Sequence, residues 1–107
     1  WEGTELKAED VAAFKKRARG FGINSGQNIV THAAYLINLA SPKDDVRQKS
    51  IEAMKDEMRR CEDLGVAYYV LHPGSALDGG FTDGMRRIVY GIDEVYSEMG
   101  TSVMLLL

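Results

Sequence analysis

The chain has 107 residues, 45% hydrophobic, 27% charged and 8% aromatic, which suits one small folded domain and excludes disordered or low-complexity classes. A formal net charge of −3 argues against a protein that grips nucleic acid through overall charge, although a local basic rim or a bound metal can make a positive site on an acidic body. A single cysteine, Cys61, excludes an intramolecular disulfide framework, and no stretch has the length of a membrane span or the pattern of a signal peptide. The expected setting is therefore reducing and cytoplasmic, or nuclear or mitochondrial in a eukaryote.

Helices and short apolar runs alternate along the chain. Val11, Phe14 and Ala18 share one face of a predicted helix from Lys7 to about Arg19, with Gly20 or Gly22 as its stop. Asn28 to Thr31 predicts a short strand ending at His32, and an apolar but irregular stretch follows from Ala33 to Ala40. Ser41 reads as the N-cap of the next helix, with Pro42 at its first position and Asp44 and Asp45 facing the positive end of the dipole. Ile51, Met54, Met58 and Cys61 recur at helical spacing until Gly65.

Val66 to Leu71 is almost continuously apolar, as expected of a parallel strand covered on both faces, and it runs into His72-Pro73-Gly74-Ser75. Thr82 or Asp83 is the expected cap of a last helix whose stripe is Met85, Ile88, Val89, Ile92, Val95, Tyr96 and Met99. Gly100 closes that helix, and Val103 to Leu107 reads as a final strand. The order α-β-α-β-α-β predicts βα units around a parallel sheet, either an open doubly wound sheet or a barrel. In both architectures function gathers at the carboxyl ends of the strands. No glycine-rich nucleotide-binding pattern follows any strand. Because the chain opens on Trp1 and stops on its most apolar run, residues 1–107 read as one partial domain truncated at both ends.

His32 and His72 are the only two histidines, and each falls at a predicted strand end. Imidazole is a common zinc ligand, yet a polar residue at a strand–loop junction is an equally good reading from position alone. Cys61 reads as a small core residue, and Lys15-Lys16-Arg17 and Arg59-Arg60 as solvated helix faces. Ser75 shows no partners for a serine nucleophile.

The words around the histidines go further. His32-Ala33-Ala34-Tyr35-Leu36-Ile37-Asn38-Leu39-Ala40 resembles a signature segment of the endonuclease IV family, the zinc-dependent apurinic/apyrimidinic endonucleases. His72-Pro73-Gly74-Ser75, following Arg60-Cys61-Glu62-Asp63-Leu64-Gly65, is similar to that family's next block. Two departures stand out: Ala34 replaces a proline or serine, and Ala76 replaces a frequent histidine.

The resemblance implies part of a (β/α)₈ TIM barrel, α/β in class, whose parent holds three zinc ions. It implies His32 and His72 as ligands of one zinc, at most one partial site in this chain, with a bridging glutamate expected just past Leu107. It places Tyr35, with Leu36 beside it, in the minor groove of double-stranded DNA containing an abasic site, and matches Trp1 to a DNA-contacting tryptophan. The implied reaction is hydrolysis of the phosphodiester 5′ to the abasic site by zinc-activated water, with no catalytic residues here beyond the metal ligands. The parent is expected to be a monomer off the membrane, and the isolated chain to be inactive and prone to self-associate through unpaired sheet edges. The competing classes are a sugar isomerase-like metal enzyme of the xylose-isomerase-like barrels and a non-catalytic part-barrel. Without the motif, Tyr35 reads as a core aromatic with its hydroxyl satisfied.

Overall fold

Spacing of apolar side chains at three and four residues gives the chain its long helices, and short β-rich runs between them supply strands. The computed structural model describes residues 3–107, so the Trp1 match lies outside the described residues. The elements are α1 (Ala8–Gly20), α2 (Ser25–Asn28), β1 (Val30–His32), α3 (Asp44–Leu64), β2 (Tyr68–Val70), α4 (Phe81–Met99) and β3 (Met104–Leu106). The three strands form one parallel sheet in the order β1-β2-β3, with Thr31 opposite Tyr69 and Tyr69 opposite Leu105. Sequential parallel strands joined through helices are the arc of a barrel, and this is a partial TIM barrel.

One face of the sheet is sealed by helices. Tyr69, Leu71 and Val103 are buried there with Met54, Met58 and Cys61 of α3, Val95 of α4 and Leu39 of the loop after β1. Each such large apolar side chain contributes roughly 1.5–3 kcal/mol through burial. The opposite face carries Val30 and Met104, which are 51% and 56% exposed. The apolar run of β2 is therefore covered on one side only. In a closed barrel the second side faces the interior, so the run retains the composition of a doubly covered strand.

Helix ends follow the sequence at three places. α1 stops at Gly20, α3 at Gly65 and α4 at Gly100, the last two closed in the left-handed conformation with φ of 71° and 59°. α1 also starts where expected, at Ala8 behind Lys7, but the starts of α3 and α4 differ. Ser41 is buried and its Oγ accepts from the Lys43 amide at 3.2 Å, a local turn that delays α3 to Asp44 and leaves Pro42 outside it. Asp44 and Asp45 do occupy the first turn. Similarly, the chain enters α4 through Gly80, which puts Thr82 and Asp83 inside the first turn, where Asp83 pairs with Arg86 at 2.9 Å. Strand β1 begins at Val30, because Ser25–Asn28 forms α2 behind an Asn24 side chain that accepts from the Gly26 amide.

α4 also sits rotated from its apolar stripe. Its buried line is Gly84, Ile88, Gly91 and Val95, while Met85 and Val89 are exposed. The glycines allow the approach: a Cβ on Gly84 would lie 2.6 Å from the Ala76 Cβ, and one on Gly91 3.3 Å from Leu39. Between α3 and α4 the buried Lys55 ammonium reaches Glu52 at 3.0 Å and Glu94 at 3.7 Å and also pairs with Glu98. Burial alone would lower its pKa, but the hydrogen bonds the ammonium donates to Glu98 and Glu52 outweigh it and hold the lysine above its ordinary value.

Candidate metal centre

Register brings the two histidines together. His32 ends β1 opposite Val70, and His72 follows Val70 by two residues, so both side chains emerge on the same face of the sheet. Their ring centroids are 5.0 Å apart with the rings tilted by 48°. They line a small cleft of about 150 Å³ with Ala33, Ala34, Tyr35 and Gly74.

A hydrogen bond fixes the His32 ring. Its Nδ1 lies 2.8 Å from the Ala33 carbonyl oxygen. A carbonyl can only accept, so Nδ1 carries the proton and Nε2 keeps a free lone pair in the neutral ring. Metal-bound histidines are commonly fixed in this way. The donor set, two imidazole nitrogens, suits zinc, and the residues present fit two of its ligands. Among the described residues no group of three or more His, Cys, Asp or Glu side chains could hold a metal ion.

The loop after β1 shows how the rest of the motif is used. Ala33, Ile37, Leu39 and Ala40 are buried and anchor it, which leaves Tyr35 92% exposed and Leu36 45% exposed. That exposure removes the reading of Tyr35 as a core aromatic. Asn38 ties this loop to the one after β2: its Nδ2 donates to the Ser75 carbonyl and its Oδ1 accepts from the Ser75 amide, each at 3.0 Å. Gly74 makes the clamp possible, since a Cβ there would fall 2.0 Å from Asn38 Oδ1.

Beneath His32 the Ala34 amide donates to both Glu57 oxygens at 3.3 Å, and the buried Tyr69 hydroxyl donates to Glu57 Oε2 at 2.6 Å. Burial first and Glu57 second push the Tyr69 pKa well above the tyrosine range, so the phenol stays protonated. Cys61 is buried and its thiol is pushed up mainly by burial, in keeping with a core role. The Ser75 Oγ accepts from the Leu77 amide at 3.2 Å, a turn contact.

Sequence reading missed Asn38, Gly74, Glu57 and Tyr69 as parts of the site. Asn38 and Gly74 lie inside the two histidine motifs. Glu57 carries no signal, being one of many acidic residues on a helix.

The model for the xylose isomerase-like TIM barrel matches residues 2–107. The chain belongs to the xylose isomerase-like TIM barrel family. Its similarity to individual members of that family extends along its whole length. It is 43% identical to a probable endonuclease 4 of Petrotoga mobilis over all of this chain and 37% of that protein. It is 42% identical to a probable endonuclease 4 of Thermotoga maritima over 99% of this chain and 37% of that one. The crystal structure of endonuclease IV from Thermus thermophilus superposes with a TM-score of 0.80 at 30% identity, covering 99% of this chain and 36% of that one. The chain thus spans little more than a third of the length of the family members it matches.

Proposed function

We propose that this chain is part of a DNA-repair nuclease of endonuclease IV type, hydrolysing the phosphodiester 5′ to an abasic site in double-stranded DNA. The observation that carries this reading is the 5.0 Å His32–His72 pair at the carboxyl ends of neighbouring parallel strands. The relatives bearing endonuclease names support it over a sugar isomerase.

His32 and His72 would hold one zinc ion, His32 through Nε2 because Nδ1 is engaged by the Ala33 carbonyl. When bound, the metal supplies a Lewis acid for the phosphate and activates water. Tyr35 and Leu36, presented outward on the anchored loop, fill the space left by the missing base and hold the duplex open.

Catalytic zinc usually takes three protein ligands, so two make a weak site. Titrating the 107-residue chain with Co²⁺ should show one weak site, lost in both His32→Ala and His72→Ala, and no incision of abasic duplex. Binding that survives either substitution overturns the ligand assignment. Metal-dependent incision by this chain alone would overturn the view that its centre is incomplete.

A further inference from the structure

His32 does not end its hydrogen-bonding at Ala33. The carbonyl that accepts its Nδ1–H and the Ala34 amide belong to the same peptide group. That group accepts on one side from His32 at 2.8 Å and donates on the other to both oxygens of Glu57 at 3.3 Å. The Tyr69 hydroxyl, held in the core, fixes Glu57 Oε2 from behind at 2.6 Å. Four groups from β1, its loop, α3 and β2 thus make one continuous chain.

We infer that Glu57 is a positioning residue for the metal centre, acting on His32 through the Ala33–Ala34 peptide. This rests on the reading of His32 as a ligand. A carboxylate drawing on the amide N–H shifts peptide electron density onto the carbonyl oxygen, which strengthens its bond to Nδ1–H. Nε2 is then held in one tautomer and one direction. Histidine ligands in metalloproteins commonly hand their second N–H to a carboxylate or a carbonyl, and changing such a partner costs about 10–100-fold in metal affinity. Here the carbonyl and the carboxylate are used in series. His72 has no part in this chain and serves as the internal control.

The test is Glu57→Gln in the 107-residue chain, which keeps an acceptor of the same shape and removes the charge. Two readouts are needed: ¹⁵N imidazole NMR of the metal-free chain, and Co²⁺ affinity. The variant should lose part of the His32 Nδ1–H tautomer and exchange that proton faster, with His72 signals unmoved. Its Co²⁺ affinity should fall about tenfold. Tyr69→Phe, which frees the back of the carboxylate, should move both readouts the same way by less, and it carries the test alone if Glu57→Gln loses its helical circular dichroism. Folded variants with unchanged His32 signals and unchanged affinity would overturn the role of Glu57. Failure of the ligand reading looks different: Co²⁺ binding is then indifferent to His32→Ala, while the tautomer readout still reports on the link.

Discussion

The two faces of the sheet were built to opposite ends. On the helix-covered face, Tyr69, Leu71 and Val103 are packed out of reach of water, and the one polar atom among them, the Tyr69 hydroxyl, has a carboxylate partner. On the other face Val30 and Met104 stand half in solvent, and at its carboxyl end the two imidazoles meet. Stability is concentrated on the first face, and the proposed metal ligands sit at the end of the second. The peptide between Ala33 and Ala34 is where the first reaches the second.

Substitutions should separate these roles. Tyr69→Ala removes a fully buried aromatic and orphans Glu57, and should cost about 3–5 kcal/mol in urea unfolding, enough to unfold much of a domain of this size. A loss below about 1 kcal/mol would mean that the covered face is not the seat of stability. Gly91→Val forces a branched side chain against Leu39 and Ile51, and should cost about 1–3 kcal/mol by overpacking, read as a lowered Tm.

Alkaline pH probes the same face more gently. Tyr69 and Lys55 both have folded pKa values raised above their unfolded ones. The stability they supply is therefore complete below the ordinary tyrosine and lysine values near 10 and drains away as pH rises beyond them. Unfolding midpoints should fall above about pH 10, and Tyr69→Phe should flatten that fall. A midpoint that rises with pH would contradict the sign. The smallest effect on stability belongs to the open face, where Val30→Lys with Met104→Lys should change it by no more than about 0.5 kcal/mol. The same pair should shift sedimentation toward monomer, since the apolar surface offered to a second copy is lost. Self-association that persists unchanged would place the contact elsewhere.

Much of this was legible in the residues. Glycines after Leu64 and Met99 marked true helix ends, because only the left-handed closure there favours glycine. Strand-end placement of His32 and His72 followed from the pattern of apolar runs. Helix starts were less legible, since the Ser41 hydroxyl serves a turn as readily as a cap. The seating of α4 was hidden for another reason: its contacts are made through Gly84 and Gly91, residues that a search for apolar side chains passes over. Without the motif, Tyr35 could be sorted from a core aromatic only once the loop's buried anchors were known. Glu57 needed the fold itself, because nothing along the chain relates position 57 to a peptide group 23 residues earlier.

The clamp between Asn38 and Ser75 has a kinetic consequence. It closes a loop of 37 residues, whose entropy penalty is modest, and every atom it uses lies within the first two βα units. Both histidine loops can therefore dock on each other during synthesis, once the Ser75 segment has emerged. The cleft that carries His32 and His72 would then take its shape from contacts within residues 30–75 alone.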